Sequence, residues 1–393
     1  MRLKTLSDRR LKQVSTKFRR YLHDKIDWGQ RFTLILGQRG VGKTTLLLQR
    51  MKVAKERSIY LSLDDFYFET NRLVELIESL YEEGYRAFYL DEVHRYRHWS
   101  KDLKNIYDNY ADIKMVATGS STLEVMKGQE DLSRRATVYN LPGLSFREFL
   151  HFEYGAITEA IDLGTLLKKH HELAADYYDM VDLSKAFTQY LQYGYYPFYK
   201  EGRNAYFPKL QETTNLVLET DLAAVEELQY STLRNTRKLL YIISRTAPFK
   251  PNIAKLADKM DVSRNLILKM LDLLSRAEVI NLLRSDTHGI SYLQKPEKVY
   301  LQNTNLLYLL SDGKPEKGSL RETFFFNQLA VTHKVTTSSQ ADFMIDDTYT
   351  FEIGGPNKTR EQIKGVPMAY IAADGIKGGT GNRIPLWMFG FLY

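Results

Sequence analysis

Gly37-Gln38-Arg39-Gly40-Val41-Gly42-Lys43-Thr44 fits the phosphate-binding pattern G-x-x-x-x-G-K-[ST] without a mismatch. The run before it, Phe32 to Leu36, is short, apolar and β-rich, and Thr45 to Arg50 reads as the first turns of a helix. Strand, loop and helix in that order are the context the pattern requires. Glycines at 37, 40 and 42 open backbone conformations closed to other residues, so successive N–H groups can turn inward around an anion. A helix starting near Lys43 adds its positive end. Lys43 is expected to reach the β- and γ-phosphates as a point charge. Thr44 is expected to offer its hydroxyl to Mg²⁺, and Thr45 completes the cradle.

Outward from the loop, Ser58 to Leu63 reads as a second strand ending in Asp64-Asp65, and Leu73, Leu76, Ile77 and Leu80 mark a helix. Ala87-Phe88-Tyr89-Leu90-Asp91-Glu92 follows as a buried strand whose acids emerge at its carboxyl end, where open α/β sheets bind ligands. Asp91 is expected to hold Mg²⁺ through water, and Glu92 to orient and deprotonate the attacking water. A fourth run, Ile113 to Ala117, ends in Thr118-Gly119-Ser120-Ser121, so Thr118 and Ser120 are candidate sensors of the γ-phosphate; a helix cap is the plainer alternative for the serines. Arg134 and Arg135 precede a fifth strand, Ala136 to Asn140. Either is a candidate for neutralising transition-state charge, in its own subunit or a neighbour's, against a solvated surface pair. His94 and His98 lie four apart, but cations surround them and no H-E-x-x-H order is present, which favours a loop beside the nucleotide over a metal site.

The chain has 393 residues and no cysteine, which excludes disulfides and thiolate chemistry and fits a reducing compartment. No apolar run approaches membrane-spanning length, and the charged start is unlike a signal peptide, so a soluble cytoplasmic protein without membrane insertion is expected. The net charge of +7 is a property of one arm: residues 1–25 hold nine Lys or Arg against Asp8 and Asp24, and the remainder is balanced. Leu11, Val14, Phe18 and Leu22 recur in that arm at helical spacing, predicting a basic amphipathic helix over residues 1–30 packed on the core. Contact with a nucleic-acid backbone or a membrane surface is the alternative use of its charge.

GQRGVGKTTLLLQ, YLSLDD, FYLDEVH, VATGSS, DLSRRA and LPGLSFREFL, in that order, resemble the AAA-type ATPases of bacteria and archaea that carry a winged-helix segment and a C-terminal domain of unknown function. The resemblance implies an α/β fold with a RecA-like P-loop core, an extra strand between phosphate loop and acidic strand, and ATP as the nucleotide. It supports Lys43, Thr44, Asp91 and Glu92, and favours Arg135 over Arg134. It implies an ATP hydrolase that couples turnover to domain movement, with a DNA or protein partner and a homo-oligomer both open.

Five regions are expected: the arm over 1–30, the ATPase core over 31–143, a helical lid or connector over 144–234, a winged-helix domain over 235–314 and a last domain over 315–393. Tyr190 to Phe198 is so rich in tyrosine that packing is a better reading than a stacking platform. Ala254 to Met260, a turn, Ser263 as cap and Arg264 to Arg276 read as a helix-turn-helix. Val279 to Leu283, His288-Gly289 and Ser291 to Leu293 supply the wing. In the last domain a helix over Glu322 to Thr332 and strands at Ala341 to Ile345, Tyr349 to Ile353 and Ala369 to Ala372 are expected. Glu322, Asp342 and Glu352 match the acidic positions of restriction-endonuclease-like folds. Gly354, however, stands where those folds carry a lysine, with Lys358 or Lys364 as substitutes, so an inactive nuclease fold is expected.

Overall fold

The computed structural model describes residues 2–119, 132, 134–178, 180–222, 230–246, 248–285 and 295–393. Two compact units divide the chain, one built on residues up to Gly143 and the other on Leu144–Glu219 and Leu228–Tyr393.

The first unit is a parallel sheet in the order β2-β3-β4-β1-β5, from β1 (Phe32–Leu36), β2 (Ser58–Ser62), β3 (Ala87–Asp91), β4 (Lys114–Gly119) and β5 (Thr137–Asn140). Every residue of β1 and β3 is buried, as continuous apolar strands covered on both faces must be. Strand β4 lies between the strand that feeds the phosphate loop and the strand that ends in Asp91, which is the inserted strand expected of this core. Parallel pairing puts the carboxyl ends of β1, β3 and β4 at one edge, so the loop, the acids and Thr118 meet there because of topology rather than proximity in sequence.

The arm departs from expectation. One helix, α1 (Arg2–Gln13), is followed by non-helical chain and a short turn of helix at Leu22–Lys25. The carbonyls of Val14, Ser15 and Phe18 find partners elsewhere. Gln49 Nε2 donates to Ser15 and Phe18 (2.7 and 2.8 Å), and Lys52 Nζ to Val14 (2.8 Å), both from α2 (Lys43–Lys52). Those side chains take over the hydrogen bonds that would have continued the helix. Two charges of α1 are also engaged: Arg2 pairs with Asp65 and Lys4 with Glu83, while Ser7 Oγ accepts from the Tyr60 amide (2.9 Å). The helix thereby covers the open edge of β2.

In the second unit, α3 (Phe146–Tyr154) starts with a capping box in which Ser145 Oγ accepts from Glu148 N and Glu148 accepts from Ser145 N. Its aromatic face joins Tyr190 and Phe187 of α4 (Leu183–Tyr193) and Phe324. Tyr190, Tyr195, Tyr196 and Tyr199 are buried, and Asn305 ties them together: its Oδ1 accepts from Tyr195 N, and its amide donates to the Leu191 carbonyl, each at 2.9 Å. The tyrosine-rich stretch is packed core.

Helices α5 (Tyr230–Arg245), α6 (Ile253–Met260) and α7 (Arg264–Arg276) follow, with Ser263 capping α7 as expected. Behind them β6 (Ile280–Leu283) pairs antiparallel with β7 (Lys298–Leu301). The expected tip at His288-Gly289 and the Ser291 to Leu293 run lie outside the described residues. Helix α8 (Lys317–Leu329) begins before, and ends before, the helix read from sequence. It packs on a sheet ordered β12-β11-β10-β9-β8, from β8 (Val335–Thr336), β9 (Phe343–Ile345), β10 (Tyr349–Gly354), β11 (Ala369–Ala373) and β12 (Arg383–Pro385). Strands β8 and β12 are too short to register in the sequence pattern.

Candidate nucleotide site

Gly37 leaves β1 with φ +154°, and a Cβ there would lie 2.3 Å from the Leu141 carbonyl oxygen. Only glycine fits where the loop passes that close to the chain leaving β5. Gly42, at φ 99°, turns directly into α2 and supplies no capping side chain, so the helix presents its amino end uncapped. Lys43 is buried, and its Nζ donates to the carbonyls of Gly37 and Gln38 at 2.9 and 2.8 Å. Gln38 and Val41 are buried as well, Arg39 and Thr44 are half-buried, and Gly40 and Thr45 are exposed. A buried lysine folded across an uncapped helix start is a charge arrangement suited to an anion.

Thr44 Oγ1 donates to Asp91 Oδ2 at 2.8 Å, so the two residues expected to share a cation touch. Asp91 is 3% exposed and takes two more hydroxyl donors: Tyr60 to the same oxygen at 2.8 Å and Thr118 to Oδ1. Burial, and next the charge of Asp91, push the Tyr60 phenol upward, so it remains a donor. Thr118 Oγ1 also accepts from the Glu92 amide (3.2 Å), which makes this strand-end threonine a bridge between both acids. Ser120, the other sensor candidate, lies outside the described residues.

Glu92 sits in the left-handed region at φ 52°, a conformation that costs a residue with a side chain about 1 kcal/mol. Its Oε2 is buried with no hydrogen-bond partner among the described residues. Burial raises its carboxyl, Lys43 pulls it back, and neighbouring Asp91 adds to the rise. His94 Nε2 lies 3.4 Å from that oxygen, a spacing that would suit an ion pair. The imidazole is nevertheless neutral: burial first, then the charges of Arg95, Lys43 and Arg39, push it down to about 3. Desolvation decides here, because a proton on His94 would have to be held beside three cations. His98 packs edge-on against Tyr96.

The structure does not bring Arg135 to the phosphate loop of its own chain. Thr137 pairs with Thr33, so Arg135 precedes the level at which β1 begins, whereas Gly37 follows its end; about 13 Å of strand separates the two levels. There Arg135 forms a two-pronged pair with Asp108 at 2.8 and 2.9 Å. A role in the site of the same subunit is thereby corrected, for a reason of strand direction that spacing could not reveal.

Two contributors escaped sequence reading. Arg20, counted among the solvated charges of the arm, is 4% exposed; it donates to the Val41 carbonyl at 2.7 Å and to those of Pro142 and Gly143 at 2.8 Å. It clamps the phosphate loop to the chain leaving β5. Tyr60 looks like one more core aromatic of β2; its only signal is a hydroxyl within an otherwise buried strand.

In the second unit, Glu322 and Asp342 do meet, on either side of Lys298: Nζ lies 3.2 Å from Glu322 Oε2 and 3.3 Å from Asp342 Oδ1. Glu352 pairs with Lys358, and Lys364 is exposed.

Residues 29–150 match the family described as an AAA domain, and residues 184–317 match a domain of unknown function. An uncharacterized protein of Methanocaldococcus jannaschii is 29% identical over 265 residues, covering 63% of this chain and 55% of that protein, so the chain spans about half the relative's length. Among solved structures, the Walker-type ATPase of Pyrococcus abyssi is similar at 12% identity and TM-score 0.44, over 75% of this chain and 96% of that one. AMPPCP-bound DnaA from Aquifex aeolicus is similar at 12% identity and TM-score 0.28, over 70% and 88%. The family match shows that residues 29–150 are similar to the AAA domain.

Proposed function

With an AAA-type P-loop domain as premise, we propose that the first unit binds ATP with Mg²⁺, hydrolyses it, and uses turnover to reposition the parts of the second unit. The observation that carries this reading is the meeting of Lys43, Thr44, Asp91 and Glu92 at one sheet edge, with Thr44 and Asp91 in direct contact. A hydroxyl and a carboxylate 2.8 Å apart fit the hard, oxygen-seeking chemistry of Mg²⁺, which would supply charge neutralisation on the phosphates. Thr44 and Asp91 are the residues that would hold it. The Lys43 ammonium would exchange its carbonyl partners for phosphate oxygens. Glu92, its free oxygen buried, would accept the proton of the lytic water, helped by a raised carboxyl closer to neutral pH than an ordinary one.

Phosphate release by the purified chain tests the reading. Lys43→Ala is expected to abolish release together with ATP binding. Glu92→Gln is expected to abolish release and retain binding, because it removes proton acceptance and leaves the cradle. Comparable turnover in either variant would refute the proposal.

DNA as an effector is a second reading. Arg264 and Asn265 are exposed at the start of α7, the position from which a helix-turn-helix reads a groove. Binding that weakens with salt and with Arg264→Ala is the expected result; salt-independent binding would remove it.

A further inference from the structure

The three acids read from the sequence of the last domain suggest a cation site, and the structure shows what they hold. Glu322 comes from α8, Asp342 directly precedes β9, and Glu352 lies in β10. Their cation partners come from two other places. Lys298, on β7 of the hairpin, reaches both Glu322 and Asp342, and Tyr300 from the same strand donates to Glu322 Oε2 at 2.6 Å. The other Asp342 oxygen accepts from the Ile353 amide at 2.9 Å. Lys358 pairs with Glu352 Oε1, and Gly354 makes room for it: a Cβ at 354 would fall 2.6 Å from the Lys358 stem. The missing lysine has thus been replaced from four residues further on, across a glycine that must stay small.

We infer that Lys298 is the resident cation of Glu322 and Asp342, its ammonium standing between the two carboxylates and keeping a divalent ion from them. The side chains of Lys298, Glu322 and Asp342 are 16–18% exposed, so the cluster is reached from solvent yet largely dehydrated. An ammonium there meets both carboxylates at hydrogen-bond distance, and an incoming metal has to evict it. Burial by itself would lower the Lys298 ammonium, but Glu322 and Asp342 outweigh it and hold it above the ordinary value. Glu322 also shifts upward, first through burial and then through Asp342. One ammonium held between two acids favours the charged form of Lys298. The same contacts fasten β7 to α8 and to the start of β9, giving the closed cluster a structural use.

Mn²⁺, titrated by electron paramagnetic resonance into the nucleotide-free full chain, is the probe. Wild type is expected to show no Mn²⁺ binding that depends on Asp342, with Asp342→Asn as the reference. Lys298→Met is expected to gain one ion per chain at least tenfold more tightly, a gain lost in Lys298→Met with Asp342→Asn and absent in Lys298→Arg. Asp342-dependent binding by wild type, Asp342-dependent DNA cleavage in Mn²⁺, or a folded Lys298→Met that binds nothing would each overturn the inference. Should Lys298→Met fail to fold, the wild-type comparison still decides. None of these outcomes depends on whether the first unit hydrolyses ATP.

Discussion

The two acid clusters differ in what holds their carboxylates. In the first unit every hydrogen bond to the Asp91 carboxylate among the described residues comes from a hydroxyl: Thr44, Tyr60 and Thr118. The nearby lysine is occupied with backbone carbonyls, and the nearby imidazole is neutral. In the second unit the acids are met by ammonium groups, Lys298 on two of them and Lys358 on the third. Neutral donors orient a carboxylate and leave its charge unspent, whereas a lysine cancels it. The first arrangement suits a site that receives a cation with its ligand; the second suits one that has supplied its own.

The contrast breaks most readily at the hydroxyls. Tyr60→Phe combined with Thr118→Val removes two of the three donors to Asp91. Each such bond to a charged group is worth about 1.5–3 kcal/mol, so losing two is expected to lower phosphate release by at least about a hundredfold. Rates within twofold of wild type would show that Asp91 needs no neutral scaffold.

A smaller effect concerns His94, held neutral beside Glu92. Its folded value, about 3, lies below the ordinary 6.5. Protons therefore bind the unfolded chain first, and the stability His94 contributes is complete above about pH 6.5 and drains away as pH falls toward 3. Melting temperatures across that range are expected to decline more steeply in wild type than in His94→Asn; equal slopes would mean that the imidazole is charged in the folded unit.

Least affected should be the Arg135 pair with Asp108, which is accessible to water. Arg135→Ala is expected to leave the melting temperature nearly unchanged, as the loss of a water-exposed ion pair does. It should leave the turnover of dilute chain unaltered, because Arg135 lies at the far edge of the sheet from the loop. A loss of turnover that grows with protein concentration would instead assign it to a neighbouring copy.

Legibility followed the range of the interaction. The loop from Gly37 to Thr44, the cap at Ser263 and the acid-ending strand β3 were readable because each depends on residues within a few positions of one another. Arg20 was read as surface charge, since nothing local distinguishes a buried arginine from a solvated one. The arm was read as one helix because its apolar spacing continues through Phe18, while the side chains that capture its carbonyls belong to α2. Spacing left Arg135 open between its own subunit, a neighbour's and the surface, because parallel pairing, invisible in spacing, decides which sheet edge a residue joins.

By itself the sequence determined the phosphate loop, the acids that follow β3 and the alternation of strand and helix around them, all consequences of backbone geometry over short distances. Tertiary structure alone decided which groups surround those acids. Lys298 reaches Glu322 and Asp342 across 24 and 44 residues, and Tyr60 reaches Asp91 across 31. A carboxylate's partner is chosen by strand order and burial, since the cost of leaving it unpaired arises only once water has been excluded.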